Sequence, residues 1–218
     1  MTFLERLEDA GCVAVLRSRS ADDAVATAHA LVEAGVRAVE LTFSTPGVLT
    51  AVDRLRGQLP GDVLVGVGTV TRPAQVREAV AAGAAFLVSP GTDAMLGRAL
   101  ADGGVPFLAG ALTPSEVMAA AAHRPAAVKL FPASAVGPDY LRALRGPFPG
   151  LPIVPTGGIG PDNAADWIRA GAPAVGAGGA LAPADASPAA LDRARETAAA
   201  LLARIRTART TTPTGVPT

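Results

Sequence analysis

The chain has 218 residues, 50% of them hydrophobic, and its 19 basic and 19 acidic side chains give a formal net charge of zero. One cysteine excludes an intrachain disulfide framework, two histidines leave few soft ligands for zinc, and the neutral balance supplies no global field to draw nucleic acid or an anionic membrane. The expectation is one α/β domain with a metal-independent mechanism that holds any anionic partner locally.

The first residues, Met1-Thr2-Phe3-Leu4-Glu5-Arg6-Leu7-Glu8, alternate charged and apolar side chains without a signal-peptide core, and no apolar run reaches transmembrane length. A cytoplasmic protein is expected. Residues 1–11 read as an extra helix closing the bottom of the fold. Short β-branched apolar runs follow at 13–16, 38–42, 63–67, 86–88, 105–108, 126–130, 152–154 and 174–177. Helical patterns fill 20–34, 47–58, 73–82, 92–102, 114–123, 138–145, 161–170 and 187–208, several opened by Ser, Thr or Asp caps or by proline in the first turn. Repeated βα units of this length predict a single-domain (β/α)8 TIM barrel over residues 1–208, with the extra N-terminal helix. Residues 209–218, rich in Thr and without apolar periodicity, are expected to form a disordered tail.

Among the basic residues one stands apart. Eighteen are arginines and the nineteenth is Lys129, set in the run Ala126-Ala127-Val128-Lys129-Leu130-Phe131-Pro132. Guanidinium stays protonated, whereas an ε-amine removed from water can carry a free lone pair and act as a nucleophile. A lysine left by compositional drift belongs on a polar face, not in an apolar strand where an unpaired ammonium costs several kcal/mol.

In a barrel, working residues sit at the C-terminal ends of strands and in the loops beyond them. Arg17, Glu40, Thr42, Thr69 and Lys129 comply, and the last two strands run into Thr156-Gly157-Gly158 and Gly176-Ala177-Gly178-Gly179. Glu40 inside a strand is either a proton-transfer group beside Lys129 or the partner of an arginine such as Arg17 or Arg37. The two glycine clusters lie where barrels hold phosphate on backbone N–H groups, although tight loop packing uses glycine too. Gly66-Val67-Gly68-Thr69 lacks the third glycine and following lysine of a nucleotide loop. His29 and His123 fall on helices, while Trp167 and Phe148 read as packing anchors.

Taken together, Val13-Ala14-Val15-Leu16-Arg17, Val39-Glu40-Leu41-Thr42, Val65-Gly66-Val67-Gly68-Thr69-Val70, Leu87-Val88-Ser89-Pro90-Gly91, Val128-Lys129-Leu130-Phe131-Pro132-Ala133, Gly146-Pro147-Phe148-Pro149 and Pro155-Thr156-Gly157-Gly158-Ile159 stand in one order over residues 5–205. In that combination the chain resembles the 2-keto-3-deoxy-6-phosphogluconate (KDPG) / 4-hydroxy-2-oxoglutarate (KHG) aldolases, class I lyases of the Entner–Doudoroff route. The resemblance implies a Schiff base on Lys129, Glu40 as acid/base, Thr69 and Pro90 around the pyruvyl portion, Phe131 beside the imine and Thr156 in the pocket. It places the phosphate on Gly157, Gly158, Gly178 and Gly179, and it implies a homotrimer whose partners are a phosphorylated keto acid and pyruvate. Two positions depart from the pattern. Some members carry arginine for the substrate carboxylate where this chain has Ser44, which passes that task to Arg17, and others have serine where this chain has Gly179. The alternatives are a 6-phosphogalactonate aldolase, a phosphosugar isomerase or epimerase using Glu40 as base, and a non-catalytic barrel that senses phosphorylated metabolites.

Overall fold

Strands whose two faces are both apolar can be buried on both sides, and here they form one parallel sheet wrapped by helices. The computed structural model describes residues 1–211. In chain order it contains α1 (Phe3–Ala10), β1 (Cys12–Leu16), α2 (Ala21–Glu33), β2 (Ala38–Thr42), α3 (Val48–Gln58), β3 (Leu64–Gly68), α4 (Pro73–Ala81), β4 (Leu87–Val88), α5 (Ala94–Asp102), β5 (Phe107–Ala111), α6 (Pro114–Ala121), β6 (Ala127–Leu130), a 3-10 turn (Ala133–Ala135), α7 (Pro138–Arg145), β7 (Ile153–Pro155), α8 (Ala164–Arg169), β8 (Val175–Ala177) and α9 (Pro188–Thr211). The strand order is β7-β6-β5-β4-β3-β2-β1-β8, and a bridge between Thr156 and Gly176 joins the two ends into a barrel.

Alternation along the strands divides the core in two. Val13, Ala38, Leu64, Phe86, Val88, Leu108, Ala127, Val154 and Ala174 fill the barrel interior with Leu7 of α1 beneath them. Their neighbours, such as Ala14, Val39, Val65, Leu87, Ala109, Val128, Ile153 and Val175, pack outward against the helices. The extra helix is started by a capping box, in which the Thr2 hydroxyl accepts from Glu5 N–H and the Glu5 carboxylate accepts from Thr2 N–H.

Three boundaries differ from the sequence reading by three residues, the others by two at most. The fifth strand, expected at 105–108, runs to Ala111, because Gly110 and Ala111 pair with Lys129 and Leu130 of β6 in a ladder that a Gly-Ala dipeptide does not announce. The eighth helix starts only at Ala164, since Asn163 closes the preceding turn by donating to Gly158 O and accepting from Gly160 N–H. Helix α9 continues past 208 to Thr211: Ala208 is fully buried, and the Arg209 guanidinium donates to the carbonyls of Glu8 and Pro173. The rest of the expected tail, 212–218, lies outside the described residues. No helix among those described is long and apolar enough to cross a membrane.

Candidate active site

Because side chains alternate, the residue two places after each interior residue points into the barrel one layer higher. Above the apolar floor this gives Val15, Glu40, Gly66, Gly110, Lys129, Thr156 and Gly176, and one step further Arg17, Thr42, Gly68, Pro90, Phe131 and Gly178. Most of the residues singled out by sequence therefore belong to two adjacent rings facing one mouth.

Glycine makes room in those rings for the larger groups. A Cβ on Gly68 would lie 1.8 Å from Glu40 Oε1, one on Gly110 would lie 2.2 Å from the Pro90 carbonyl carbon, and one on Gly176 would lie 2.3 Å from Thr156 Oγ1. In this space Lys129 Nζ stands 3.5 Å from Glu40 Oε1 and 5.4 Å from the centre of the Phe131 ring. Lys129 is 5% exposed and Glu40 2%. Glu40 Oε1 is buried without a hydrogen-bond partner, and 3.5 Å is too long for a good hydrogen bond to the amine. A buried ion pair adds little to stability over an apolar pair of the same volume. One left incompletely bonded is better suited to receiving a reactant than to holding the fold.

The arginines offered as structural partners of Glu40 are engaged elsewhere. Arg37 pairs with Asp62 at 3.1 Å, and Arg17 donates through Nε to Ser44 Oγ at 3.0 Å. Ser44 Oγ also lies 2.8 Å from Thr42 Oγ1, which donates to Leu16 O. The departure at Ser44 thus becomes the support that aims an exposed Arg17 at the barrel mouth. Thr69 follows β3 with a left-handed φ of 56°, which re-aims its side chain after the strand ends. Pro90 follows Ser89, whose buried hydroxyl accepts from Gly110 N–H at 3.1 Å.

The two glycine loops do meet. Gly158 to Asn163 and Gly179-Ala180 wall a cavity of about 320 Å³. Gly157 and Gly158 both have positive φ, 103° and 71°, which bends the chain back after β7. The N–H groups of Gly158, Gly179 and Ala180 make no hydrogen bond among the described residues. Asp162 is the one charged side chain on this wall, so an anion there would be held by N–H groups rather than by a cation. Gly178 packs near Val15, and Gly157 sits beside the Phe131 ring.

Sequence reasoning missed Val15, Ser89 and Asn163. Val15 was indistinguishable from a core valine, whereas Ser89 and Asn163 act through hydrogen bonds that have no local pattern. Among the described residues no group of three or more His, Cys, Asp and Glu side chains is arranged to hold a metal ion. A cavity of about 890 Å³ lies outside the barrel between α4 and α5 and has no part in this site.

A family model described as KDPG and KHG aldolase matches residues 4–195. A 2-dehydro-3-deoxy-phosphogluconate aldolase from Dickeya dadantii is 38% identical over 187 residues, covering 85% of this chain and 87% of that one. Among solved structures, a chain of a cube-shaped, highly porous protein cage designed by fusing symmetric oligomeric domains superposes with a TM-score of 0.85 at 31% identity, over 92% of this chain and 73% of that one. KDPG aldolase from Legionella pneumophila, with pyruvate captured as a covalent carbinolamine intermediate, gives 0.81 at 29% identity over 93% and 98%.

Proposed function

Since the chain belongs to the KDPG and KHG aldolase family, we propose that it cleaves 2-keto-3-deoxy-6-phosphogluconate to pyruvate and glyceraldehyde 3-phosphate through a Schiff base on Lys129, and acts on 4-hydroxy-2-oxoglutarate by the same chemistry. The observation that carries this reading is the chain's one lysine, buried in the barrel 3.5 Å from an unbonded carboxylate oxygen of Glu40.

The neutral amine adds to the C2 ketone, and loss of water leaves an iminium. Glu40 accepts the proton of the C4 hydroxyl while the C3–C4 bond breaks. The bonding pair moves onto C3 and is delocalised toward the iminium nitrogen as an enamine, and C4 leaves as the aldehyde. Protonation of C3 and hydrolysis then release pyruvate and restore the amine. Phe131 lies beside the Nζ that becomes the imine nitrogen, and Thr156, Thr69 and Pro90 surround the pyruvyl portion. Arg17, braced by Ser44, meets the substrate carboxylate. The phosphate takes the free N–H groups on the wall shared by Gly158 and Gly179, with Gly157 and Gly178 shaping the loops. All the chemistry resides in side chains, so the reading needs no cofactor.

The captured carbinolamine in the Legionella relative supports the covalent step. The symmetric oligomeric domains of the designed cage support an oligomer, which in this reading is a homotrimer. A charged phosphate ester does not cross a bilayer unaided, which supports a cytoplasmic enzyme.

Borohydride reduction in the presence of pyruvate, followed by peptide mass mapping, tests the central step. A reduced-pyruvate adduct on Lys129 is expected, and Lys129→Arg should fold, form no adduct and lose at least about a thousandfold in turnover. Substantial cleavage by that variant would overturn the covalent step, and turnover without an adduct would favour an isomerase-like use of Glu40 instead.

A further inference from the structure

The proposed cleavage sets two parts of the substrate in place, the C4 hydroxyl at Glu40 of β2 and the phosphate at the loops after β7 and β8. In the closed barrel β1 stands between β2 and β8, so the carbons that join C4 to the phosphate pass along its inner face. The register says what they meet. Val15 pairs with Glu40, and Ala14 pairs with Ala177, which sets Val15 beside Gly178. Neighbours across a ladder share a face, so all three positions look into the barrel, above the Val13 of the apolar floor. Strands about 4.8 Å apart put Glu40 and Gly178 about 10 Å from one another, with Val15 midway. Gly178 has no side chain, and a Cβ there would lie 3.7 Å from Val15 Cβ, while Thr156 fills the space at Gly176. Val15, only partly buried, is therefore the side chain that borders this path. Arg17, one layer higher, is drawn toward β2 by its bond to Ser44.

We infer that Val15 is a specificity-determining residue, which favours the phosphorylated six-carbon substrate over 4-hydroxy-2-oxoglutarate. The inference rests on the aldolase reading and deepens it. In the six-carbon substrate the atoms beside the isopropyl group are C5 and C6, and the charge lies beyond them, within reach of the free N–H groups of Gly179 and Ala180. In 4-hydroxy-2-oxoglutarate C5 is itself a carboxylate. Its charge falls against Val15, which offers no donor, and it stops short of the N–H groups that hold the phosphate. A carboxylate that leaves water without gaining a hydrogen bond is disfavoured. Arg17 does not make up for this, because the carboxylate at C1, common to both substrates, already occupies it.

Cleavage of both substrates by the full chain, followed as pyruvate release, tests this with two variants. Val15→Thr keeps the shape and adds a donor. It should raise kcat/KM for 4-hydroxy-2-oxoglutarate about tenfold, the scale of a hydrogen bond to a charged group, and move that for the phosphorylated substrate by less than about threefold. Val15→Phe narrows the path, and should lower kcat/KM for the phosphorylated substrate at least about tenfold more than for 4-hydroxy-2-oxoglutarate. Borohydride should still trap pyruvate on Lys129 in both variants, since C1 to C3 end before Val15. A ratio of the two kcat/KM values that stays at the wild-type figure in both variants overturns the inference. So does loss of the trapped adduct from a Val15→Phe chain with wild-type circular dichroism, which would set Val15 against the pyruvyl portion. If Val15→Phe does not fold, an unchanged ratio in Val15→Thr is enough to overturn it. A wild type that traps pyruvate yet prefers 4-hydroxy-2-oxoglutarate overturns it too, whereas one that traps no pyruvate and cleaves neither substrate overturns the aldolase reading itself.

Discussion

Gly68 decides whether Glu40 can stand where it does. A methyl group at this position would come within 1.8 Å of Glu40 Oε1, so Gly68→Ala must push the carboxylate off its approach to Lys129, while β3 keeps the ladder it forms with β2 through the four pairs that precede Gly68. The expected result is a folded protein whose turnover falls at least about a hundredfold, given that misplacing a reacting group by about 1 Å costs that much. Steady-state kinetics beside circular dichroism reads both halves. Cys12 is a contrasting case, a buried thiol without a chemical task. Burial pushes it from 9.0 up to about 12. The fold therefore holds the neutral thiol, and the stability it contributes is complete below pH 9.0 and declines as pH rises from there toward about 12. An alkaline unfolding series should show a shallower decline over that window for Cys12→Ala than for the wild type. Thiol reagents should label Cys12 only after denaturation.

At the scale of elements, α1 and α9 act on the barrel from below. Leu7 is fully buried against the interior residues Val13, Phe86 and Ala174, so α1 is a plug and not an appendage. Leu7→Ala should cost about 2–5 kcal/mol in denaturant unfolding. The trapped adduct should still form in water, because the layers bearing Lys129 and Glu40 lie above the apolar floor. The strands themselves were legible because both faces are apolar, yet their ends were less so. Gly110 and Ala111 extend β5 only because Lys129 and Leu130 wait beside them, and such pairing lies far away in sequence.

For the whole molecule, the barrel has one thin seam. β2 and β3 pair through five residues each, whereas β7 and β8 meet at the single bridge Thr156–Gly176. Amides of β7 and β8 should therefore exchange with deuterium sooner than those of β2 and β3, since local opening follows the least-supported hydrogen bonds. Exchange read by mass spectrometry on peptides covering these strands checks this. The seam lies between the two loops assigned to the phosphate. Inorganic phosphate bound there should slow exchange at β7 and β8 specifically.

Sequence alone determined the barrel, the order of its elements and the identity of Lys129 as the residue to watch. These follow from local periodicity and from a composition that admits one amine, and both are carried by near neighbours along the chain. Tertiary structure alone decided that Glu40 answers to Lys129 and not to Arg17 or Arg37. It also turned Ser44 from a missing arginine into the support of another, and freed three N–H groups where the Gly158 and Gly179 loops meet. Each of these depends on which side chains the closed barrel brings within a few ångströms across tens of residues, and local periodicity does not encode such distances.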